Sequence, residues 1–291
     1  MEALNIFLEI LVYGAVQSSI YALLAMGFCL IFGVANIVNL AHTALYMIGA
    51  YLIYTFFSVL QLNLAMAILL SVVSVALLAT GMYRFCIRPV MASEWSVLMI
   101  TISLAMFFQQ LMIFVYGPAD RNVEGFIGKK LTLFGAVDID AQRLLTLGVS
   151  FLLLVLLWLF IYRTRMGKAI LAVAQDREAA LFMGINSERV YLTVIAISAV
   201  LAAVAGAFIA PTIGARPEMW APTLGKIFAV VVLGGIGSLE GTILAALLIG
   251  YLEVVISFSI SSYFGEIVSV VVILLMLSFR PSGLLGKRIE A

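Results

Sequence analysis

Apolar stretches of roughly twenty residues recur along almost the whole chain, and nothing constrains its fold more. As a helix, a run of that length spans the ~30 Å hydrocarbon core of a bilayer. Backbone polar groups inside lipid must then be satisfied within the helix itself. Such runs read at 5–32, 39–58, 62–83, 95–116, 142–162, 190–211, 224–259 and 264–279. Only 11% of the 291 residues are charged while 65% are hydrophobic, too little polar surface for a water-soluble domain of this size. The run at 5–32 fits one tilted helix or two pieces. The run at 224–259 is interrupted by "GGIGSLEG" (234–241), which suggests two helices meeting at a turn. The expectation is an all-α, polytopic integral membrane protein, one domain over 1–291, with about eight to ten transmembrane segments.

The charged residues give the chain an orientation. No Lys or Arg precedes Arg84, so the opening segment lacks the basic region of a cleavable leader. Arg84 and Arg88, then Arg163, Arg165, Lys168, Arg177 and Arg189, then Arg280, Lys287 and Arg288 fall on one face if the spans alternate. Basic loops face the cytoplasm, which leaves the mixed-charge connection 117–141 outside, and the N-terminus too unless 5–32 crosses twice. A net charge of +1 gives no reason to expect nucleic acid. Cys29 and Cys86 lie in or beside apolar runs without a CxxC or Cys/His cluster, and read as packing residues.

Several polar features interrupt the apolar pattern. Residues 166–184 have helical periodicity, with Gly184 placed as the left-handed residue that ends a helix. Asn186 or Ser187 then caps the next helix, with Glu188 in its first turn. Asn36, Asn39 and His42 recur at i, i+3, i+6, a polar stripe on a helix that either lines a path through the membrane, shapes a helix break, or bonds neighbouring helices. Gln109 is a further candidate for the path; of the adjacent Gln109 and Gln110 only one can face protein. Glu253 is a carboxylate inside an apolar run, placed to pair with a base or to lie near external water. The glycines Gly234, Gly235, Gly237 and Gly241 mark a helix break rather than a dinucleotide loop, since both flanks are membrane-like. "GLLGKR" (283–288) lacks the spacing of a phosphate loop, so any ATP chemistry falls to another subunit. No catalytic constellation and no metal-ligand cluster emerges, and the sole His stands in an apolar span.

Glu178-Ala179-Ala180, three residues, then Gly184 resembles the coupling loop of ABC-importer permeases. Longer blocks resemble, in order, the LivH-type permeases of branched-chain amino-acid importers: "SIYALLAMGFCLIFGVANIVNLAHTALYMIGAY" (19–51), "YRFCIRPV" (83–90), "ITISLAMFFQQL" (100–111), "TRMGKAILAVAQDREAALFMGI" (164–185), "AFIAP" (207–211), "VVVLGGIGSLEGTILAALLIGYLE" (230–253) and "RPSGLLG" (280–286). Two departures stand out: positions 194–197 read Val-Ile-Ala-Ile where the coupling motif continues with Ile-x-Leu-Pro, and Thr43-Ala44 replaces the usual residues after His42. The resemblance implies a multi-pass inner-membrane permease with a cytoplasmic coupling segment at about 164–189, in which Gln175, Asp176, Arg177, Glu178, Ala179, Ala180 and Gly184 engage an ATPase. It also implies a LivM-like second permease, two ATPase subunits holding ATP and Mg, and an external solute-binding protein. The implied cargo is a branched-chain or related amino acid; urea, short amides or small carboxylates are the alternative. An ion-coupled secondary transporter or channel would instead show paired intramembrane charges or discontinuous helices.

Overall fold

The computed structural model describes residues 2–128, 130–133, 137–279 and 283–285. Among the described residues seven helices are long and apolar enough to cross a membrane: Ile6–Ala35, His42–Val59, Leu64–Val90, Glu94–Tyr116, Ala141–Arg163, Ser187–Ile213 and Leu239–Ser259. Trp220–Gly234 and Ile267–Met276 are shorter apolar helices. The elements run α1 (Glu2–Ala35), α2 (His42–Ile53, continued by π turns at Tyr54–Val59), α3 (Leu64–Met82, continued by π and 3-10 turns to Val90) and α4 (Glu94–Tyr116). A hairpin, β1 (Lys130–Leu133) and β2 (Val137–Asp140), precedes α5 (Ala141–Arg163), α6 (Arg165–Gln175) and α7 (Arg177–Phe182). The chain continues as α8 (Ser187–Ile213), α9 (Trp220–Gly234), α10 (Leu239–Ser259) and α11 (Ser262–Phe279). The run at 5–32 is thus one helix, and the run at 224–259 is two.

The core is built on α1, α2 and α8. Small residues let their backbones touch, the usual way helices associate where lipid is as apolar as the side chains. A Cβ on Gly206 of α8 would collide with the Tyr46 carbonyl of α2, and one on Gly49 would stand 2.7 Å from the Ala203 carbonyl. Ala202 and Ala210, on the same small-residue ridge as Gly206, are fully buried. Pro211 lies inside α8 and cannot donate to the turn before it. Nearby, the Phe208 carbonyl accepts from Thr146 Oγ1 at 3.2 Å and Gln142 Nε2 at 3.3 Å, so α5 ties into this part of α8.

Cross-ties identify the two ends of the bundle. At one, Arg121 and Ala215 exchange backbone hydrogen bonds at 2.9 and 2.8 Å, and Arg216 pairs with Asp120 at 3.0 Å, fixing 117–121 to the α8–α9 connection. The hairpin belongs to this end, with Leu131 opposite Ile139. At the other end Arg88 pairs with Glu188 at 3.1 Å, beside the α6–α7 segment. The basic residues Arg163, Arg165, Lys168, Arg177 and Arg189 all cluster on or around that segment. Arg280, Lys287 and Arg288 of the tail, and Lys129 of the connection, lie outside the described residues.

The span read at 39–58 needs correcting. Residues 36–41 are not helical, so Asn36, Asn39 and His42 do not form a helical stripe. Asn36 takes φ +52°, ending α1. The chain then turns back until His42 Nε2–H donates to the Leu24 carbonyl at 3.1 Å. Leu24 lies 11 residues before the end of α1, about 16 Å along its axis. Hence α2 begins well inside the apolar layer. Non-helical backbone at that depth survives where it is covered by protein, and here Ile37, Asn39 and Ala41 are buried. Asn39 Oδ1 accepts from the Ala41 N–H at 3.1 Å, supplying one partner the missing helix turn would have provided.

Candidate functional site

The α6–α7 segment is a built surface element. Thr164 caps α6 by accepting from the Gly167 N–H at 2.9 Å. Gly167 is pressed against the Phe160 and Ile161 carbonyls, leaving no room for a side chain, so α6 folds directly beneath α5. Its Ile170 and Val173 are buried. The single helix read over 166–184 is in fact two, because Asp176 is extended and caps α7 through its own Oδ1, which accepts from the Ala179 N–H at 3.0 Å. An Asp bonding backbone ahead of it starts a new helix more readily than it continues the old one. Gly184, at φ +82°, closes α7: its N–H donates to Leu181 and that of Ile185 to Ala180, the paired pattern that satisfies terminal carbonyls. Asn186 caps α8 by accepting from Arg189 N–H at 3.1 Å, so Asn186, not Ser187, is the cap.

Within this segment Gln175, Asp176, Arg177, Glu178 and Ala179 are exposed, whereas Ala180 turns inward and is buried. Arg177 lies over the Tyr191 ring at 5.6 Å. The most exposed apolar side chains of the segment are Phe182 at 90% and Met183 at 83%. Sequence reading gave neither a docking role, because they occupy the unspecified positions between Ala180 and Gly184 of the motif. Two large apolar residues just before a helix-stopping Gly, in a charged segment, were the available signal.

The second polar site lies between α1, α9 and α10. Lys226 Nζ meets Glu253 Oε1 at 2.5 Å, and Tyr21 OH donates to Glu253 Oε2 at 2.5 Å. Gln17 Nε2 donates in turn to Tyr21 OH at 2.7 Å. Tyr21 is about halfway along the apolar helix Ile6–Ala35, so the pair lies at membrane depth. The two charged side chains are only 15% and 12% exposed. Removing charges from water is costly unless each finds its partner, and here Glu253 has both oxygens engaged. A cavity of about 100 Å³ opens beside the pair, lined by Gln17, Tyr21, Tyr46, Thr223 and Lys226 on its polar side. Of the two placements the sequence allows Glu253, pairing with a base or lying near external water, the structure shows the pairing. Lys226 itself was missed, although a lone Lys in an apolar run was the signal.

The other candidates separate. Gln109 Oε1 accepts from Trp220 Nε1–H at 2.7 Å, joining α4 to the start of α9, while Gln110 is exposed. His42 is fully buried: besides its bond to Leu24, Nδ1 faces Ser198 Oγ at 3.3 Å, and Ser198 Oγ–H donates to the Gly27 carbonyl at 2.6 Å. It joins α1, α2 and α8. Asn39 is buried in the break and Asn36 is exposed. Gly234, Gly235, Gly237 and Gly241 form the α9–α10 turn, with Gly235 and Gly237 at φ +97° and +83° and Gly234 in backbone contact with Gly241. Leu284 N–H caps it by donating to the Leu233 carbonyl at 2.8 Å. Among the described residues no group of three His, Cys, Asp or Glu side chains could hold a metal ion.

Residues 10–278 match the family described as the branched-chain amino acid transport system permease component. The chain is 30% identical to the high-affinity branched-chain amino acid transport system permease protein LivH of Salmonella typhimurium, over 97% of this chain and 96% of that one. To the corresponding BraD protein of Pseudomonas aeruginosa it is 29% identical, with the same coverage of both chains. Among solved structures it is similar to PsaBC from Streptococcus pneumoniae in complex with Fab, with a TM-score of 0.55 over 94% of this chain and 92% of that one; at 14% identity this likeness speaks to fold alone.

Proposed function

This chain belongs to the branched-chain amino acid transport permease family, and from that premise we propose a mechanism in which α6 and α7 receive the stroke of an ATPase. The chain is a multi-pass inner-membrane permease subunit of an ABC importer. Two cytoplasmic ATPase subunits, holding ATP and Mg, dock on this segment and on its counterpart in a second, LivM-like permease. A solute-binding protein delivers a branched-chain or related amino acid at the opposite, hairpin end, and the cargo passes between the two permeases.

The observation that carries this reading is the exposed knob formed by Phe182 and Met183 at the end of a helix that is rigidly capped at both ends. An apolar knob on a polar surface gains most by entering a partner's groove. Glu178 and Arg177 flank it with charge, and Ala179 keeps the neighbouring face slim. Motion imposed on α7 passes through Gly184 and Asn186 into α8, and through α6 into α5. Because α6 touches the α5 backbone at Gly167, little of the displacement is lost in side-chain rearrangement.

The paired charges and the broken α1–α2 connection are also marks of ion-coupled carriers. Family membership argues against that reading, and transport assays separate the two. In proteoliposomes holding the complete complex, leucine uptake will require ATP and the binding protein. Flux driven by an ion gradient without ATP would overturn the importer reading. ATP-dependent uptake of urea or a small carboxylate in place of leucine would overturn only the cargo. Replacing Phe182 and Met183 together by Ser is expected to lower uptake by about tenfold or more, the weight of a buried apolar anchor, with Tm unchanged. Glu178→Lys and Ala179→Trp will uncouple ATP hydrolysis from uptake. Full uptake by all three variants would remove the docking role.

A further inference from the structure

We infer that the cavity beside Lys226 is a binding subsite for the zwitterionic head of an amino acid, with Lys226 receiving the carboxylate. This deepens the proposed function and rests on its assignment of amino-acid cargo.

The argument begins with an asymmetry in the buried pair. Glu253 is saturated: Lys226 takes one oxygen and the Tyr21 hydroxyl the other. Lys226 is not. An ammonium has three N–H donors, and among the described residues Lys226 directs a hydrogen bond only to Glu253. Its Nζ also stands over the Tyr21 ring, 5.8 Å from the centroid, and its side chain lines the cavity. The cluster therefore offers the cavity unused positive donors while its negative partner is occupied. A ligand drawn to that pole carries a carboxylate.

The opposite demand is met on the same cavity wall. Thr223 Oγ–H donates to the Met219 carbonyl at 2.7 Å, which leaves its oxygen to act as an acceptor. The Tyr46 hydroxyl lies beside that of Thr223. Gln17 spends its amide N–H on Tyr21 and keeps its carbonyl oxygen. These oxygens suit an ammonium. The rest of the wall is aliphatic, made by Ile20, Leu24, Ile209 and Ile213. A cavity of about 100 Å³ has room for a carboxylate, Cα and ammonium. Beside Thr223 and Lys226 on α9, Ala221, Pro222 and Gly225 are exposed and small, and we place the aliphatic end of the ligand along them. The subsite thus reads the head group common to amino acids, and discrimination among side chains falls to surfaces beyond it.

The alternative is a latch, in which Lys226 and Glu253 only hold α9 to α10. The test uses the purified complex without its binding protein, with tritiated leucine as the probe and scintillation proximity as the readout. Wild type should bind leucine saturably. Leucinamide, which lacks the carboxylate, should compete at least about tenfold more weakly, the weight of one charge-assisted hydrogen bond. The exchange Lys226→Glu with Glu253→Lys keeps the pair but inverts its pole, and should lose binding by a similar factor. Ile213→Trp, which fills the cavity and leaves the pair intact, should lose it as well. Equal competition by leucinamide, binding by the exchanged pair, or no saturable binding by wild type would overturn the subsite. The cargo reading stands separately: it falls if the wild-type complex with binding protein and ATP takes up no leucine, and the subsite falls with it.

Discussion

Helices α5 and α8 are both apolar and long enough to cross the membrane, yet α8 has 72% of its apolar window buried in the protein and α5 only 22%. Their difference is size. The inner part of α8 reads Ala-Val-Leu-Ala-Ala-Val-Ala-Gly-Ala, while α5 reads Phe-Leu-Leu-Leu-Val-Leu-Leu-Trp-Leu-Phe. In water, hydrophobicity decides what is inside. In lipid it cannot, because the tails are as apolar as leucine. Close backbone approach decides instead, and small residues permit it.

The comparison is broken most severely by matched insertions. Gly206→Leu should abolish recovery of folded protein, since its Cβ would enter the Tyr46 carbonyl of α2. Gly148→Leu on α5, where an added Cβ meets nothing within 4 Å, should leave the melting temperature unchanged or raised. Fluorescence-detected size exclusion of both variants measures the contrast, and equal losses would remove size as the sorting rule.

Next comes charge. Lys226→Met strands Glu253 and should destabilise the fold by about 3–5 kcal/mol, the scale for breaking a buried pair. Replacing Lys226 and Glu253 together by Met should recover most of that, as thermal unfolding in detergent would register. If the double variant is no better than the single, the stranded charge is not what destabilises the single variant.

The mildest contrast concerns two serines. Ser198→Ala removes the donor to the Gly27 carbonyl at the α1–α2–α8 joint and should cost about 1–3 kcal/mol. Ser103→Ala, on the exposed side of α4 and bonded to its own helix at Met99, should stay within about 0.5 kcal/mol. Similar shifts for both would mean that the joint contributes no more than a surface hydroxyl.

Much of this fold was legible because membrane helices announce themselves by length, and because caps are local. Gly184 and Asn186 took the roles their residue types suggest, since a left-handed stop and an N-cap need only a few neighbours. The break at 36–41 was legible only as one of three readings. An i, i+3, i+6 spacing is neutral between a helical stripe and a return loop until Leu24 is known to wait for His42. The polar site was half legible: Glu253 attracted notice as a lone carboxylate, but its partner Lys226, 27 positions away, was found only by folding. Likewise the coupling segment was visible as a motif, yet which of its residues project was not, and Ala180 proved buried while Phe182 protrudes.

The sequence by itself determined that this chain lives in a membrane, roughly where its spans lie, and where its charged segment stops at Gly184, since hydropathy and capping act over a few residues. Only the tertiary structure decided which spans are inner, where α2 begins, and that Lys226 meets Glu253 beside a cavity. Those outcomes depend on which helix backbones can touch, and no local stretch of sequence contains both sides of a contact.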